Sequence, residues 1–243
     1  MKKLLLILLF AIQIFAQYPD AVEVLQKIDE NMSAENQVVV STMVIHGRRS
    51  SRSITAKSWT EGTEKSFTEY LAPAREKGTK MLKLDDQLWM YSPQSDRIIR
   101  ISGHMLRQSV MGSDLSYEDM MEDRTLEEAY IAKITGDETI DENDCWVMEL
   151  EAKEDDLAYQ QQKLWVDKEY FAPRKQELYA KSGKLLKVIE LSELLNIDGR
   201  WYPKRMLFQD VLLKGKGTEF IVEDIDFDAS IPSRIFSKAS LRK

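Results

Sequence analysis

Short stretches of apolar, β-branched and aromatic residues, separated by turn residues, fill most of the chain. Within residues 78–121, stretches at 79–84, 87–92 and 97–101 are separated by acidic and Pro-containing turns at hairpin spacing. Further stretches recur roughly every ten residues, which predicts about a dozen antiparallel strands in a meander. They lie at 37–46, 52–60, 64–71, 130–139, 145–152, 162–167, 175–180, 185–194, 201–211 and 218–227.

Two stretches have helical periodicity instead. Residues 19–32 begin with the N-cap candidate Asp20 and place their apolar side chains on one face. Residues 116–121 open with a serine, and Asp119 three positions later resembles the acidic residue of a capping box, with a continuation through 126–129. Few helices and many strands leave two architectures, a closed barrel with its own core or an open barrel plugged by these helices. The apolar helix faces favour the open barrel.

The N-terminus has the pattern of a secretory signal peptide. Two lysines precede an unbroken apolar run at residues 4–12, and Ala16 is a small residue at the expected cleavage site. The run is shorter than the roughly 20 apolar residues that a membrane-spanning helix needs. We therefore expect a signal peptide at residues 1–16, followed by a single domain over residues 17–243 that is released as a soluble exported protein.

Charge and cysteine content narrow the classes of function. Loss of Lys2 and Lys3 with the signal peptide would lower the formal net charge from −7 to −9. An acidic chain without a basic stripe is a poor nucleic-acid binder, so we expect no nucleic-acid partner. Cys145 is the single cysteine, which excludes a disulfide framework within one chain. Its apolar neighbours predict a buried strand residue.

Catalytic patterns are missing from the sequence. His46 and His104 are the two histidines, and neither has metalloprotease spacing or stands near a nucleophile motif. The acidic clusters at 85–86, 151–156 and 223–228 have the composition of turns and solvated strand faces, because adjacent strand residues point to opposite sides. We expect no enzymatic activity, no cofactor and no metal site.

Several segments resemble the exported proteins called outer-membrane lipoprotein-sorting proteins, and the resemblance covers essentially the whole mature chain. It continues through the later Asp198-Gly199 turn and the segment from Ile231 to Phe236. The main matching segments are LQKIDENM at 25–32, EYLAPAREKG at 69–78, LWMYSP at 88–93, GSDLSYED at 112–119 and LWVDK at 164–168.

This family is similar to the periplasmic lipoprotein carrier LolA. The resemblance implies a half-closed antiparallel barrel whose apolar concave face is covered by helices and receives acyl chains. It also implies a Gram-negative periplasm, a lipoprotein or lipid cargo, an inner-membrane transporter and an outer-membrane acceptor. That carrier uses an arginine near its cavity, and neither Arg52, Arg97 nor Arg100 can be assigned to this role from the sequence.

Large, adaptable apolar side chains are the residues that an acyl-binding cavity requires. The same side chains are also ordinary core residues, and both interpretations stay open. Leu88 and Met90 alternate with Trp89 and Tyr91, so alternation leaves open which pair faces inward. The candidate ligand-binding residues are Trp59, Phe67, Met81, Trp89, Tyr91, Ile101, Met105, Met111, Trp146, Met148, Trp165 and Phe208.

Residues 102–113 combine apolar side chains with the position of a loop. This combination predicts either a flap over the cavity mouth or an ordered loop that packs on the barrel edge. Two functions follow from the sequence. The first is a carrier of acylated lipoproteins or lipids. The second is a binding or sensing module, such as an accessory to an RND-type exporter or an envelope stress sensor.

Overall fold

Consecutive strands, except the sixth and the seventh, pair as antiparallel neighbours in one sheet. A computed structural model describes residues 18–242, so the signal peptide predicted at residues 1–16 lies outside the described part of the chain. The first six strands are β1 (Asn36–His46), β2 (Ser51–Glu61), β3 (Lys65–Ala72), β4 (Lys80–Leu84), β5 (Gln87–Ser92) and β6 (Arg97–Ile101). The next seven are β7 (Tyr130–Ile140), β8 (Asn143–Ala152), β9 (Gln161–Asp167), β10 (Pro173–Tyr179), β11 (Leu185–Ile197), β12 (Arg200–Asp210) and β13 (Thr218–Asp226).

The first and last strands lie in the middle of this sheet. Its order is β6-β5-β4-β3-β2-β1-β13-β12-β11-β10-β9-β8-β7. Strands β6 and β7 are therefore the two edges, and within residues 18–242 they do not pair with each other. The open barrel predicted from the sequence is confirmed, and the closed-barrel alternative is wrong.

Helix α1 (Ala21–Met32) begins where predicted. The Asp20 carboxylate accepts a hydrogen bond from the Val22 backbone N–H at 2.7 Å, which satisfies one free donor of the first turn. Helix α2 (Leu126–Ala129) is a single turn that Thr125 and Glu128 close with a capping box. No helix among residues 18–242 is long and apolar enough to cross a membrane.

The helix predicted at residues 116–121 is wrong, although its reciprocal cap is present. The Ser116 N–H donates to the Asp119 carboxylate at 2.7 Å, and the Asp119 N–H donates to Ser116 Oγ at 3.2 Å. The chain forms successive turns here instead. The physical reason is tertiary, because Asp119 also forms an ion pair with Lys187 on β11 and Tyr117 packs in the cluster that contains Leu88 on β5.

The C-terminal residues cover part of the other face of the sheet. Two 3₁₀ turns, Ser233–Ile235 and Lys238–Arg242, hold Phe236 and Leu241 in a cluster with Phe67, Leu82 and Trp89. Cys145 is buried in β8, as its sequence neighbours predicted.

Candidate functional site

One face of the sheet is continuous from edge to edge, and we call it the inner face. Residues that are direct partners in antiparallel strands point to the same side. The register therefore traces this face from β5 to β8. The partner pairs on this face include Met90–Met81, Met81–Thr68, Thr68–Ser58, Met43–Phe220, Thr218–Phe208, Phe208–Ile189, Ile189–Gln176, Gln176–Leu164 and Leu164–Met148.

Residues 102–125 connect β6 to α2 and cross the inner face between the two edges of the sheet. We call them the connecting segment. Buried Asp114 anchors this segment to the far half of the sheet. Its carboxylate accepts hydrogen bonds from the Thr218 hydroxyl at 2.6 Å and from the Asp210 backbone N–H at 3.1 Å. Hydrogen bonds to a charged acceptor are the stronger kind, so this contact holds the segment firmly at one point.

A second anchor lies at Asp119. Its carboxylate pairs with the Lys187 ammonium and accepts a hydrogen bond from the Tyr159 hydroxyl. Burial, together with the neighbouring carboxylate, raises the pKa of Tyr159, so its hydroxyl stays a donor. On the other side of the segment, the Arg52 guanidinium donates to the Met111 carbonyl oxygen.

Between these anchors, the contacts of the connecting segment with the sheet are mainly apolar. Val110 and Tyr117 are buried in a cluster with Met43, Ile54 and Met81 of the inner face. Partly buried methionines of the segment pack against this cluster, and thioether side chains repack easily around different shapes. They are Met105, Met111, Met120 and Met121.

Helix α1 covers the other half of the inner face. Val24, Leu25 and Ile28 pack there in a cluster that contains Met148 and Leu164. The helix is also joined to the end of the connecting segment. The Asp29 carboxylate accepts hydrogen bonds from the Leu126 and Glu127 backbone N–H groups, each at 3.1 Å. The connecting segment and α1 therefore form one continuous cover.

Three cavities lie between this cover and the sheet. The inner cavity, about 110 Å³, is lined by Met43, Ile54, Ala56, Tyr70, Val110 and Phe220, among others. The side cavity, about 310 Å³, lies around Leu115, Tyr130, Leu157, Leu178, Ile189 and Phe208. The polar cavity, about 420 Å³, is lined by Ser58, Thr60, Ser66, Thr68, Lys83 and Asp123, among others.

The cavities share walls. Met120, Ser58 and Thr68 line both the polar cavity and the inner cavity. Leu115 lines both the inner cavity and the side cavity. An outward movement of the connecting segment would therefore join the three into one cleft that is apolar at its centre and polar at one end.

Seven of the candidate residues contribute to the inner face or to its cover. Met81, Ile101, Met105 and Met111 belong to the cluster beneath the connecting segment. Met148 and Trp146 pack in the cluster beneath α1, where the Trp146 ring lies 5.4 Å from that of Phe171. Phe208 lines the side cavity and lies 5.4 Å, ring to ring, from Phe220.

The other five candidate ligand-binding residues, all aromatic, do not lie on the inner face, so their assignment to the cavity is wrong. Trp59, Phe67, Trp89 and Tyr91 lie on the outer face, in the cluster that the C-terminal segment covers. Trp165 lies on the outer face of β9, in a cluster with Cys145 and Val147. The outer face also carries buried clusters, which explains why large aromatic residues lie on it. They are not part of the three cavities.

Sequence reasoning missed Tyr70, Phe220 and Lys83. Tyr70 and Phe220 line the inner cavity. Alternation along their strands could identify them only after the structure had shown which face of each strand points inward. Lys83 was missed because a lysine on a strand is normally exposed to solvent, whereas Lys83 is only 3% exposed. Of the three arginines considered, Arg52 contacts the connecting segment, whereas Arg97 and Arg100 are exposed on the edge strand β6.

Comparison with known proteins agrees with this architecture. A protein-family model with the description uncharacterized protein matches residues 62–243, most of the chain. No similar sequence is found among curated proteins. A LolA superfamily protein from Nitrosomonas europaea has a similar structure, with 26% identity and a TM-score of 0.75, over 90% of this chain and 98% of that one.

Two further solved structures share the fold. One is described as an outer membrane lipoprotein-sorting protein domain from Vibrio parahaemolyticus, with 24% identity, a TM-score of 0.79, and coverage of 92% of this chain and 98% of that one. The other is a DUF1329 family protein from Desulfovibrio piger, with 24% identity, a TM-score of 0.81, and coverage of 90% and 97%.

Proposed function

The chain belongs to the family whose model matches residues 62–243 and is LolA-like in fold, and from this premise we propose that it is a periplasmic carrier of acylated cargo. The cargo is a lipoprotein or a lipid whose acyl chains bind between the inner face and its cover. An inner-membrane transporter would load the carrier, and an outer-membrane acceptor would unload it.

The observation that carries this proposal is the row of cavities along the connecting segment. They lie beneath a methionine-rich cover that packs by dispersion and is anchored at few polar points. Ligand sites for small molecules are concave and mostly apolar, with a few placed polar groups. The inner cavity with its neighbouring polar cavity has this composition.

Cavity size decides how binding would occur. Pockets for drug-sized ligands have volumes of roughly 300–1,000 Å³, so the inner cavity of about 110 Å³ is too small for a long acyl chain. The connecting segment must therefore move outward to admit cargo. Burial of ten methylene groups would contribute about 8 kcal/mol, which is enough to displace several methionine contacts.

A second function is favoured by the filled inner face. Side chains of the protein itself already bury most of this face. A binding or sensing module that recognises a partner protein, as an accessory to an RND-type exporter or as an envelope stress sensor, needs no lipid cavity. The two functions differ in whether lipid enters beneath the connecting segment.

The first experiment is organic extraction of the protein purified under native conditions, followed by mass spectrometry. Bound lipid or acylated protein supports the carrier. The second is titration with a fluorescent fatty acid, comparing wild type with Met105→Ser/Met111→Ser and with the control Ile131→Ser, which changes a residue that is 65% exposed on β7.

For a carrier, the methionine variant loses affinity while its melting temperature changes little, and the control does neither. A clean extract together with no binding of the fatty acid would reject the carrier and favour the module. A parallel loss of affinity and melting temperature in the methionine variant would mean that the connecting segment is permanent core.

A further inference from the structure

Lys83 is a buried cation at the polar end of the cleft. It lies on β4 with its side chain on the inner face, two residues beyond Met81, and is 3% exposed. An ammonium group has three N–H donors. The structure gives Lys83 one hydrogen bond, to the Thr63 carbonyl oxygen at 2.9 Å, and no carboxylate of residues 18–242 lies within 4 Å of it. A buried charge normally has a partner, so this ammonium has unused binding capacity.

The surroundings of Lys83 are hydroxyl-rich and acidic. Ser58, Thr60, Ser66 and Thr68 line the same polar cavity. Asp123 also lines this cavity, is half-buried, and forms no ion pair or side-chain hydrogen bond with the described residues.

The remaining charged groups of the polar cavity are already engaged. Glu122 pairs with Arg124, which also contacts Asp156. Asp29 accepts two backbone N–H groups of α2. Among the described residues that line the polar cavity, Lys83 and Asp123 thus keep charge and hydrogen-bonding capacity for a ligand.

Lys83 and Asp123 lie next to the apolar part of the cleft, which is the arrangement that an amphipathic ligand requires. The polar cavity shares Met120, Ser58 and Thr68 with the inner cavity, where acyl chains are proposed to bind. A molecule with its chains against Ile54 and Phe220 would have its headgroup beside Lys83.

We propose that the polar cavity binds the headgroup of a zwitterionic phospholipid. The phosphate lies against Lys83 and the neighbouring Ser and Thr hydroxyl groups, and the amine lies against Asp123. This inference rests on the proposed function, because it names the class of lipid that the cleft carries. An anionic headgroup without an amine would leave Asp123 unpaired and facing a like charge. A diacylglycerol, which has no phosphate, would leave the Lys83 ammonium without an anionic partner.

The test uses short-chain lipids that are soluble as monomers. Binding of dihexanoyl phosphatidylethanolamine, dihexanoyl phosphatidylglycerol and dihexanoylglycerol is measured by calorimetry for wild type, Lys83→Met and Asp123→Asn. We expect Lys83→Met to weaken both phospholipids about tenfold, since a hydrogen bond to a charged group is lost, and to leave dihexanoylglycerol unchanged. Asp123→Asn should weaken only the phosphatidylethanolamine.

Each outcome separates the two proposals. If none of the three lipids binds wild type although the fluorescent fatty acid does, the headgroup site is rejected and the carrier function stands. If the fatty acid does not bind and the extract is clean, the carrier function itself is rejected. If all bind and neither variant changes their order, the headgroup site is rejected while the carrier function stands. Glycerophosphoethanolamine serves as the headgroup alone, and binding as tight as that of the lipid would mean that the cavity takes a free phosphate ester.

A different surface supports a second proposal. The turn between β12 and β13 exposes three consecutive aliphatic residues, Val211, Leu212 and Leu213, at 45%, 58% and 46%. The β1–β2 turn lies beside it, because the His46 N–H donates to the Gly217 carbonyl and the Lys216 N–H donates to the His46 carbonyl, each at 3.0 Å.

Basic side chains surround these aliphatic residues. Arg48, Arg49, Lys214 and Lys216 are all exposed, and none forms an ion pair within residues 18–242. We call residues 47–50 and 211–217 the basic tip. Four unpaired cations in an acidic protein are complementary to an anionic surface, and exposed aliphatic residues among them insert into the interface of a bilayer.

We infer that the basic tip docks onto membranes that contain anionic lipid. Flotation with phosphatidylcholine vesicles, with and without phosphatidylglycerol, tests this for wild type, Arg48→Ser/Arg49→Ser, Leu212→Ser/Leu213→Ser and the control Ile131→Ser. We expect binding only with phosphatidylglycerol, weaker at high salt, and reduced about fivefold for each arginine removed. Equal binding of all four proteins, or no binding of wild type, would reject the docking surface.

Discussion

The buried pair of Asp119 and Lys187 is the sharpest test of how the connecting segment is held. The Lys187 and Asp119 side chains are 8% and 15% exposed. Lys187→Met keeps the length of the side chain and removes its charge, which leaves the Asp119 carboxylate buried without its cation. Breaking a buried pair from one side costs about 3–5 kcal/mol. We expect the lower end of this range, because the carboxylate keeps its hydrogen bonds to Tyr159 and to the Ser116 N–H.

Urea unfolding measures the cost to the stability of the whole protein, and amide hydrogen exchange measures the cost to the connecting segment alone. The Val110 and Glu118 N–H groups bond within the connecting segment, so their exchange reports its local opening. We expect Lys187→Met to speed exchange at these amides more than at amides of the central strands. The double variant Asp119→Asn/Lys187→Met removes both charges but keeps a side-chain oxygen that accepts from Tyr159 and the Ser116 N–H, so it should recover most of the loss.

The matched control is Lys181→Met, which breaks an ion pair with Asp155 in which both side chains are more than 70% exposed. Such surface pairs contribute little, so unfolding should hardly change. If Lys187→Met behaves like this control, or if the double variant is as unstable as the single one, the segment is not held by the buried pair.

Three further predictions concern the rest of the molecule. Leu241→Ala should cost about 2–5 kcal/mol in urea unfolding, because Leu241 is fully buried against the outer face, and a small loss would mean that the C-terminal segment is loosely attached. The Cys145 thiol, whose pKa burial raises to about 11, should react with a disulfide reagent only at the rate of global unfolding, and fast labelling of the native protein would contradict this. Burial lowers the pKa of Lys83 below its ordinary 10.5, so the native state binds fewer protons than the unfolded state just below that pH. The free energy of unfolding should therefore rise with pH in this range, and Lys83→Met should remove that part of the rise in a pH series of urea titrations.

Local chemistry made many of the elements predictable. The turns after β4 and β5 contain residues that favour tight reversals, and the predicted strands at 87–92 and 97–101 agree with β5 and β6. Asp20 set the start of α1 because an N-cap needs only its own side chain and the next turn. Ser116 shows the limit of such reasoning, since its cap formed as predicted and no helix followed.

The sequence by itself determined that the chain folds as a meander of hairpins with one amphipathic helix, since turns and caps act over a few residues. Only the tertiary structure decided which face of each strand meets the cleft. Leu88 and Met90 point inward beneath Tyr117, whereas Trp89 and Tyr91 point outward beneath Phe236 and Leu241. Both faces of β5 are covered, so both sets of positions are apolar and alternation carries no information about direction. The covering residues lie far away in the chain, and only their packing separates the cleft from the outer core.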